Sequence, residues 1–211
     1  MRRDFRLALF LGFLAALMWV PILRRLNDYF GDWAWALTLV IPAVFATGLC
    51  AGKLLSRSKP FFYPFAKFII VGFFIAGIDF GAFNLLIYLM GIERGFEIAV
   101  FKAISFTLAV ISGYPLNKFW TFRQGRAWRA QEFSRYFTVA VFGFAINVGL
   151  TGLIVNFIAP PFDISQLLWD NMASAAAIAV ATIWNFSGYK FAVFKPSSFP
   201  IADEELRNQL H

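Results

Sequence analysis

The sequence predicts an all-α membrane protein of six transmembrane helices, the last four forming two tandem parallel helical-hairpin repeats. Three observations carry this expectation. First, 60% of the residues are hydrophobic, 19% aromatic and only 15% charged, with a mean hydropathy of +0.66. Soluble domains carry roughly 25% charged residues, and a soluble chain of this size could not cover so much apolar surface. Second, six long apolar runs alternate with short polar segments, each run long enough to cross a hydrocarbon core of ~30 Å as a helix. Third, Lys118-Phe119-Trp120-Thr121-Phe122-Arg123 has an echo 72 positions later in Lys190-Phe191-Ala192-Val193-Phe194-Lys195, and an internal repeat decides architecture. Backbone polar groups must be paired inside the bilayer, which favours helices. The alternating ten-residue strands of a barrel are not visible.

The elements follow in order. Residues 7–23 form the first span, behind Arg2, Arg3 and Arg6. A secretory signal begins the same way, but this run is long for a signal core and no small-x-small cleavage pattern follows. Arg24, Arg25, Asp28 and Asp32 make a polar turn before the second span at residues 33–52, where Pro42 is an expected kink. Residues 1–55 thus read as an N-terminal transmembrane hairpin. A Pro- and aromatic-rich linker at residues 60–64, flanked by Lys53, Arg57, Lys59 and Lys67, is the best boundary in the chain. Residues 65–195 hold four further spans, at residues 68–91, 98–119, 136–159 and 167–189. Gly113-Tyr114-Pro115 is expected to break the fourth. Residues 196–211 form a polar tail, in which Asp203, Glu204 and Glu205 start a short surface helix.

The net charge of +7 is read by position. The N-terminal tail, the linker, the loop from Lys118 to Arg135 and the C-terminal tail hold most of the basic residues. The positive-inside rule then puts both termini in the cytoplasm, a parity that six spans satisfy. Cys50, the single cysteine, permits no intrachain disulfide, and the single histidine is the last residue. Histidine-based acid/base chemistry and histidine-ligated metal sites inside the fold are thereby excluded. No nucleophile motif or metal spacing appears, so an enzyme is not expected, nor a cofactor. The chain offers no soluble basic domain for nucleic acid.

Sliding the chain on itself defines the repeat. At an offset of 68, Lys67 falls on Arg135, Phe68 on Tyr136, Asp79 on Asn147 and Gly81 on Gly149. At an offset of 72, Lys118, Phe119 and Phe122 fall on Lys190, Phe191 and Phe194. Residues 67–122 and 135–194 are thus two copies of one hairpin, and an even number of spans per copy makes the repeats parallel.

The unit, an Asn-bearing helix end (Asn117, Asn185) running into Lys-Phe-x-[Thr/Val]-Phe and a basic residue, resembles the GtrA-like family of small bacterial membrane proteins. The resemblance covers roughly residues 65–195. It departs at Gly113, where the family usually has Asn as here at Asn185, and the first two spans lie outside the family core. It implies a four-helix membrane unit that moves a polyprenyl-phosphate-linked monosaccharide across the bacterial cytoplasmic membrane, for glycosylation of surface polysaccharide or wall polymer.

Such a substrate needs a cation for its phosphate and amide or carboxylate partners for its hydroxyls, because each polar group left bare in hydrocarbon costs several kcal/mol. The candidates are Asp79, Lys102, Asn117, Lys118, Trp120, Asn147, Asn185 and Lys190. Lys118 and Lys190 read either as phosphate clamps or as snorkelling anchors, and Lys67 and Arg135 lean towards anchors. Asp79, deep in its span, is a functional residue by default, open to sugar hydroxyls or to pairing with Lys102 on the next helix. Lys102 reads as a phosphate receiver or a snorkeller. Asn147, Asn185, Asn117 and Asn84 read as sugar contacts or as helix glue. Trp120 and Phe122 read as a sugar platform or as part of the interfacial aromatic belt. Ala173, Ala175, Ala176, Ala177, Ala179 and Ala181 read as a small packing face.

The expected partners are a polyprenyl-phosphate sugar lipid, membrane lipids and a second copy in a homo-oligomer. Two other classes stay open. One is a membrane scaffold that recruits a polyprenyl-phosphate glycosyltransferase through the loop bearing Lys118, Arg123, Arg126, Arg129 and Arg135. The other is a small-solute or multidrug exporter with Asp79 as its cation site.

Overall fold

A computed structural model describes residues 2–24, 35–92, 94–125, 129–160 and 165–194. The expected polar turn at residues 25–34, Arg126 in the basic loop, and the C-terminal tail fall outside these residues. The described chain is all helical: α1 (Arg2–Arg24), α2 (Leu37–Leu55), α3 (Phe62–Met90), α4 (Phe96–Pro115), α5 (Ala130–Phe157) and α6 (Gln166–Gly188). A π-helical turn continues α4 over Leu116–Thr121, and another continues α6 over Tyr189–Val193. Among the described residues α2, α3, α4 with its π turn, and α5 are long and apolar enough to cross a membrane. This is a multi-span membrane protein, and its outward residues agree: Phe10, Leu39, Leu85, Phe96, Val148 and Ile183 are all exposed.

Residues 1–125 and 126–211 form two compact units. In the first, α1 packs on α2 and α3, and α3 packs on α4. Spacing dictates these contacts. Ala8, Leu11 and Ala15, with Ala16 beside it, form the buried stripe of α1, and Ile41, Phe45, Leu49 and Gly52 that of α2, at the steps of three and four that a helix face requires. Gly12 allows α1 and α2 to touch backbone to backbone, since a Cβ there would come within 2.6 Å of the Pro42 Cα. On α3 the buried positions Lys67, Ile70, Val71, Phe74 and Gly77 turn towards α1 and α2. On α4 the buried positions Phe101, Ser105, Ala109 and Gly113 recur every four residues. Gly91 ends α3 in the left-handed conformation, φ 66°, its N–H donating to the Ile87 carbonyl at 2.9 Å.

In the second unit α5 packs on α6. Of the alanines expected to pack, Ala173, Ala177 and Ala181 are buried, whereas Ala175, Ala176 and Ala179 are exposed. The spacing of four keeps only the first three on one face. Ser165 caps α6 by accepting the Leu168 N–H at 3.4 Å.

One expectation is corrected and another is refined. The proposed linker at residues 60–64 is largely helix, because α3 starts at Phe62 and Pro64 sits in its first turn, where a missing N–H leaves no bond unmade. The break expected at Gly113-Tyr114-Pro115 takes the form of a change in helix type at Pro115. Pro115 ends the α-helical portion, and the chain continues in the wider π turn.

Candidate functional site

The first cluster joins the start of α1 to the start of α3 and the end of the π turn. Asp4 lies in the first turn of α1, followed four residues on by the buried Ala8, so the core stripe of α1 carries the carboxylate inward. Tyr63 and Lys67, one turn apart on α3, face it together. The Asp4 Oδ2 accepts from Lys67 Nζ at 2.7 Å, from the Tyr63 hydroxyl at 2.8 Å and from the Arg123 guanidinium at 2.8 Å. Its Oδ1 accepts from the Trp120 indole N–H at 3.0 Å. The Lys67 ammonium also lies 4.5 Å from the Tyr63 ring centroid and 5.4 Å from that of Trp120, and donates to the Trp120 carbonyl at 3.4 Å. Lys53 lies 5.2 Å from the other aromatic wall, Tyr63.

Burial acts on the Asp4 carboxyl to raise its pKa, but hydrogen bonds from Lys67 and Tyr63 and the charges of Lys67 and Arg123 outweigh it. The net result is a pKa lowered from the ordinary 3.8 to about 2. Arg123 holds its ion pair from a left-handed backbone, φ 53°, which a non-glycine residue adopts at a cost.

Lys67 is therefore not the snorkelling anchor that its position suggested. It is 1% exposed and ion-paired. Trp120 is likewise buried, its indole N–H committed to Asp4 rather than to an interfacial belt.

The second cluster lies about 18 Å farther along α3, at ~1.5 Å per residue. Lys102 Nζ meets the Asp79 Oδ2 at 2.5 Å, and the Ser105 hydroxyl donates to the Asp79 Oδ1 at 2.6 Å. Lys102 and Ser105 lie on α4 three residues apart, so both reach one carboxylate on α3. Lys102 lies 5.4 and 5.6 Å from the rings of Phe80 and Phe83, and about a third of its side chain is exposed. The pairing of Asp79 with Lys102 was one of the two readings open to it.

The π turns place the third set. Pro115 has no N–H to offer the carbonyl of Ile111, and beyond it the bonding changes. The Phe122 N–H donates to the Asn117 carbonyl, five residues back, at 2.9 Å, and the Gln124 N–H to that of Lys118 at 2.9 Å. In the second unit the Phe194 N–H donates to the Tyr189 carbonyl, again five residues back, at 2.7 Å. A turn closed over five residues holds one more residue than an α turn. Side chains beyond it leave the stripe that the helix would have continued.

Lys118, in the first turn, is 1% exposed, with Nζ 3.3 Å from the Tyr114 hydroxyl and 5.5 and 5.9 Å from the rings of Tyr114 and Phe119. Lys190, in the second, is half-buried, 5.8 and 5.1 Å from the rings of Phe186 and Phe191. Each lysine thus stands beside an aromatic one turn before it and another directly after it. Asn117 is buried next to Lys118.

The second unit supplies the remaining amides. The Asn185 carboxamide rests against Gly143 of α5, where any Cβ would overlap it. Its Oδ1 is buried with no hydrogen-bond partner among the described residues. Asn147 is half-buried one turn along α5 from Gly143. Tyr136 stacks on Tyr189 at 4.2 Å between ring centroids, with Phe194 6.0 Å away.

The structure thus joins Asp79 with Lys102 and puts Lys118, Asn117 and Trp120 in one turn. It sets Asn147, Asn185 and Lys190 in the second unit. Sequence reasoning missed Asp4, Tyr63, Ser105 and Arg123 as participants. The available signal was Asp4 itself, a single acid among three arginines just ahead of an apolar helix.

Comparison with known proteins adds one positive finding. No curated protein and no solved structure matches the chain. The family model described as GtrA/DPMS, transmembrane domain, matches residues 67–194. The match opens at the buried Lys67 and closes at Phe194, whose N–H closes the second π turn, so both lysine-bearing turns and the mid-helix ion pair fall inside it. With more than half of its length matched, the chain belongs to the GtrA/DPMS transmembrane-domain family.

Proposed function

We propose that this protein translocates a polyprenyl-phosphate-linked monosaccharide across the bacterial cytoplasmic membrane, with both termini on the cytoplasmic side, for glycosylation of surface polysaccharide or wall polymer. Its family is one of membrane proteins concerned with handling polyprenyl-phosphate sugars. The observation that carries the finer reading is the Asp79, Lys102 and Ser105 cluster. It sets the Asp79 carboxylate within α3, one of the most apolar helices of the chain, against an ammonium and a hydroxyl from α4. Ionisable groups at that depth are costly and are kept where a polar path needs them.

Lys102, partly exposed, is suited to the phosphate. Asp79 and Ser105 are suited to sugar hydroxyls. Lys118 and Lys190, in matched aromatic settings at the ends of their helices, would take the phosphate there. These matched turns support the reading of residues 67–122 and 135–194 as copies of one unit. The residues act by binding and desolvation, and no bond-making step is assigned to them.

The experiment is headgroup exposure in proteoliposomes with polyprenyl-phosphate glucose and an external sugar probe. Wild type is expected to expose the sugar. Asp79→Asn, Lys102→Met, Lys118→Ala and Lys190→Ala are expected to cut the rate about tenfold or more while remaining folded, the effect of losing one charge-assisted contact. Exposure no greater than in empty liposomes would refute the translocase.

A second reading, a scaffold for a glycosyltransferase, is favoured by the exposure of Arg129 and Arg135. It predicts that replacing these two by Gln abolishes capture of the transferase and that the Asp79 variant does not.

A further inference from the structure

We infer that the cationic box around Asp4 is a binding site for the phosphate of a prenyl-phosphate lipid, and that the Asp4 carboxylate occupies this site as a built-in competitor until the lipid displaces it. The inference rests on the polyprenyl-phosphate reading above and adds to it a second site, outside the mid-helix cluster, with its own gate.

The donor set is the first argument. An ammonium, a guanidinium, a phenol and an indole N–H converge on one point from α3 and from the end of the π turn. Three of the four crowd onto the single oxygen Oδ2, while Oδ1 takes only the indole. A prenyl phosphate monoester, the form not yet linked to sugar, offers three terminal oxygens where a carboxylate offers two, so the same four donors would spread over it with less crowding. Charge is the second argument. Lys67 and Arg123 both pair with Asp4, so two cations meet one carboxylate, and Lys53 stands over the Tyr63 ring beside them. Replacing a singly charged carboxylate by a phosphate monoester, with about 1.5–2 negative charges at pH 7, brings the cluster closer to neutral.

The third argument is a tail path. An apolar cleft of about 430 Å³ between α2 and α3 is lined by Ile41, Phe45, Gly48, Ala66, Ile69 and Phe73 among others, none of them polar. It starts at Ala66, the chain neighbour of Lys67, and extends about 10 Å along α3. Its wholly apolar lining, which includes Ile70 one turn along α3 from Lys67, suits a prenyl chain whose phosphate is held at the box. The way in is also visible. The Arg123 side chain is 66% exposed and follows the π turn, so one wall of the box faces outward. Asp4 is tethered at the start of α1 and competes at a high effective concentration, so the wild-type site binds more weakly than its donors alone would allow.

The test measures equilibrium binding of radiolabelled farnesyl phosphate to the full-length protein in nanodiscs of zwitterionic lipid. Wild type is expected to bind. Asp4→Ala is expected to bind about tenfold tighter or better, because the competitor is gone. Adding Lys67→Met to Asp4→Ala is expected to abolish that gain. A folded Asp4→Ala protein that binds no tighter than wild type overturns the inference. If Asp4→Ala does not fold, Arg123→Gln decides. Its side chain is largely exposed, so the fold is retained, and a several-fold loss of affinity is expected, while unchanged affinity overturns the inference.

Two competitors identify the ligand. Farnesol competing as well as farnesyl phosphate would reduce the site to a tail groove, and inorganic phosphate competing equally would make it a free-anion site. Either result overturns the lipid-phosphate assignment. The outcome separates from that of the translocase. Translocation without any gain in Asp4→Ala sinks this site alone, whereas a gain without translocation sinks the translocase and leaves the site standing.

Discussion

The ammonium of Lys102 on α4 meets the carboxylate of Asp79 on α3 at 2.5 Å, and the Ser105 hydroxyl holds the other carboxylate oxygen at 2.6 Å. Each charge here depends on the other for its place among apolar side chains. Removing one leaves the other uncompensated, and removing both leaves a polar gap without a bare charge. Asp79→Asn and Lys102→Met are each expected to lower stability in detergent by about 1–3 kcal/mol. The double variant is expected to be more stable than their sum, yet still to lack translocation. Thermal unfolding of all three beside the proteoliposome assay checks this. A double variant that translocates normally would make the pair structural only.

Asp4 predicts an acid limb. Its carboxyl titrates at about 2 in the folded protein against an ordinary 3.8. The unfolded chain therefore takes up the proton first as pH falls. The stabilisation from Asp4 is complete above about pH 4 and is lost as pH drops towards 2. The unfolding midpoint of wild type should fall across that window more steeply than that of Asp4→Asn, which should already be lower at neutral pH. Parallel curves would show that the carboxylate is not held as described.

Gly143 and Asn185 form a size-matched pair across α5 and α6. Gly143→Ala must push the Asn185 carboxamide aside, at an expected cost of about 1–3 kcal/mol. Adding Asn185→Ala should recover part of that loss. A double-mutant cycle in thermal unfolding reads the coupling, and additivity would disprove the contact.

Arg123 separates backbone strain from ion pairing. Arg123→Ala loses the guanidinium and keeps the left-handed residue, whereas Arg123→Gly loses the guanidinium and relieves the backbone. The glycine variant should therefore be the more stable of the two by about 1 kcal/mol. Equal stabilities would mean that the positive φ is not retained.

Much of this was legible in the sequence because hydrophobicity is a local property. The run of apolar residues from 68 to 91 and its counterparts predict helices, since a backbone in lipid has few other ways to satisfy itself. The basic residues that repeat at Lys118 and Lys190 mark matched helix ends without any knowledge of packing. Asp79 was visible as an ionisable group in the wrong solvent. Helix boundaries were less legible. Pro64 reads as a linker residue in sequence but is accepted in a helix's first turn, and Pro115 marks a break whose form, a widening into a π turn, the sequence does not show.

What composition and periodicity alone determined is the class, an all-α multi-span membrane protein, while the resemblance to the GtrA family came from the matching motifs at Lys118 and Lys190. What the tertiary structure decided is where the charges go. Asp4 and Lys67 lie 63 positions apart and meet at 2.7 Å only because α1 packs against α3. Lys67 and Trp120 look like interfacial residues in sequence because nothing local distinguishes a lysine that snorkels from one that is buried and paired. The difference is a carboxylate delivered by a distant helix, and long-range electrostatic partners leave no trace in the periodicity of either segment.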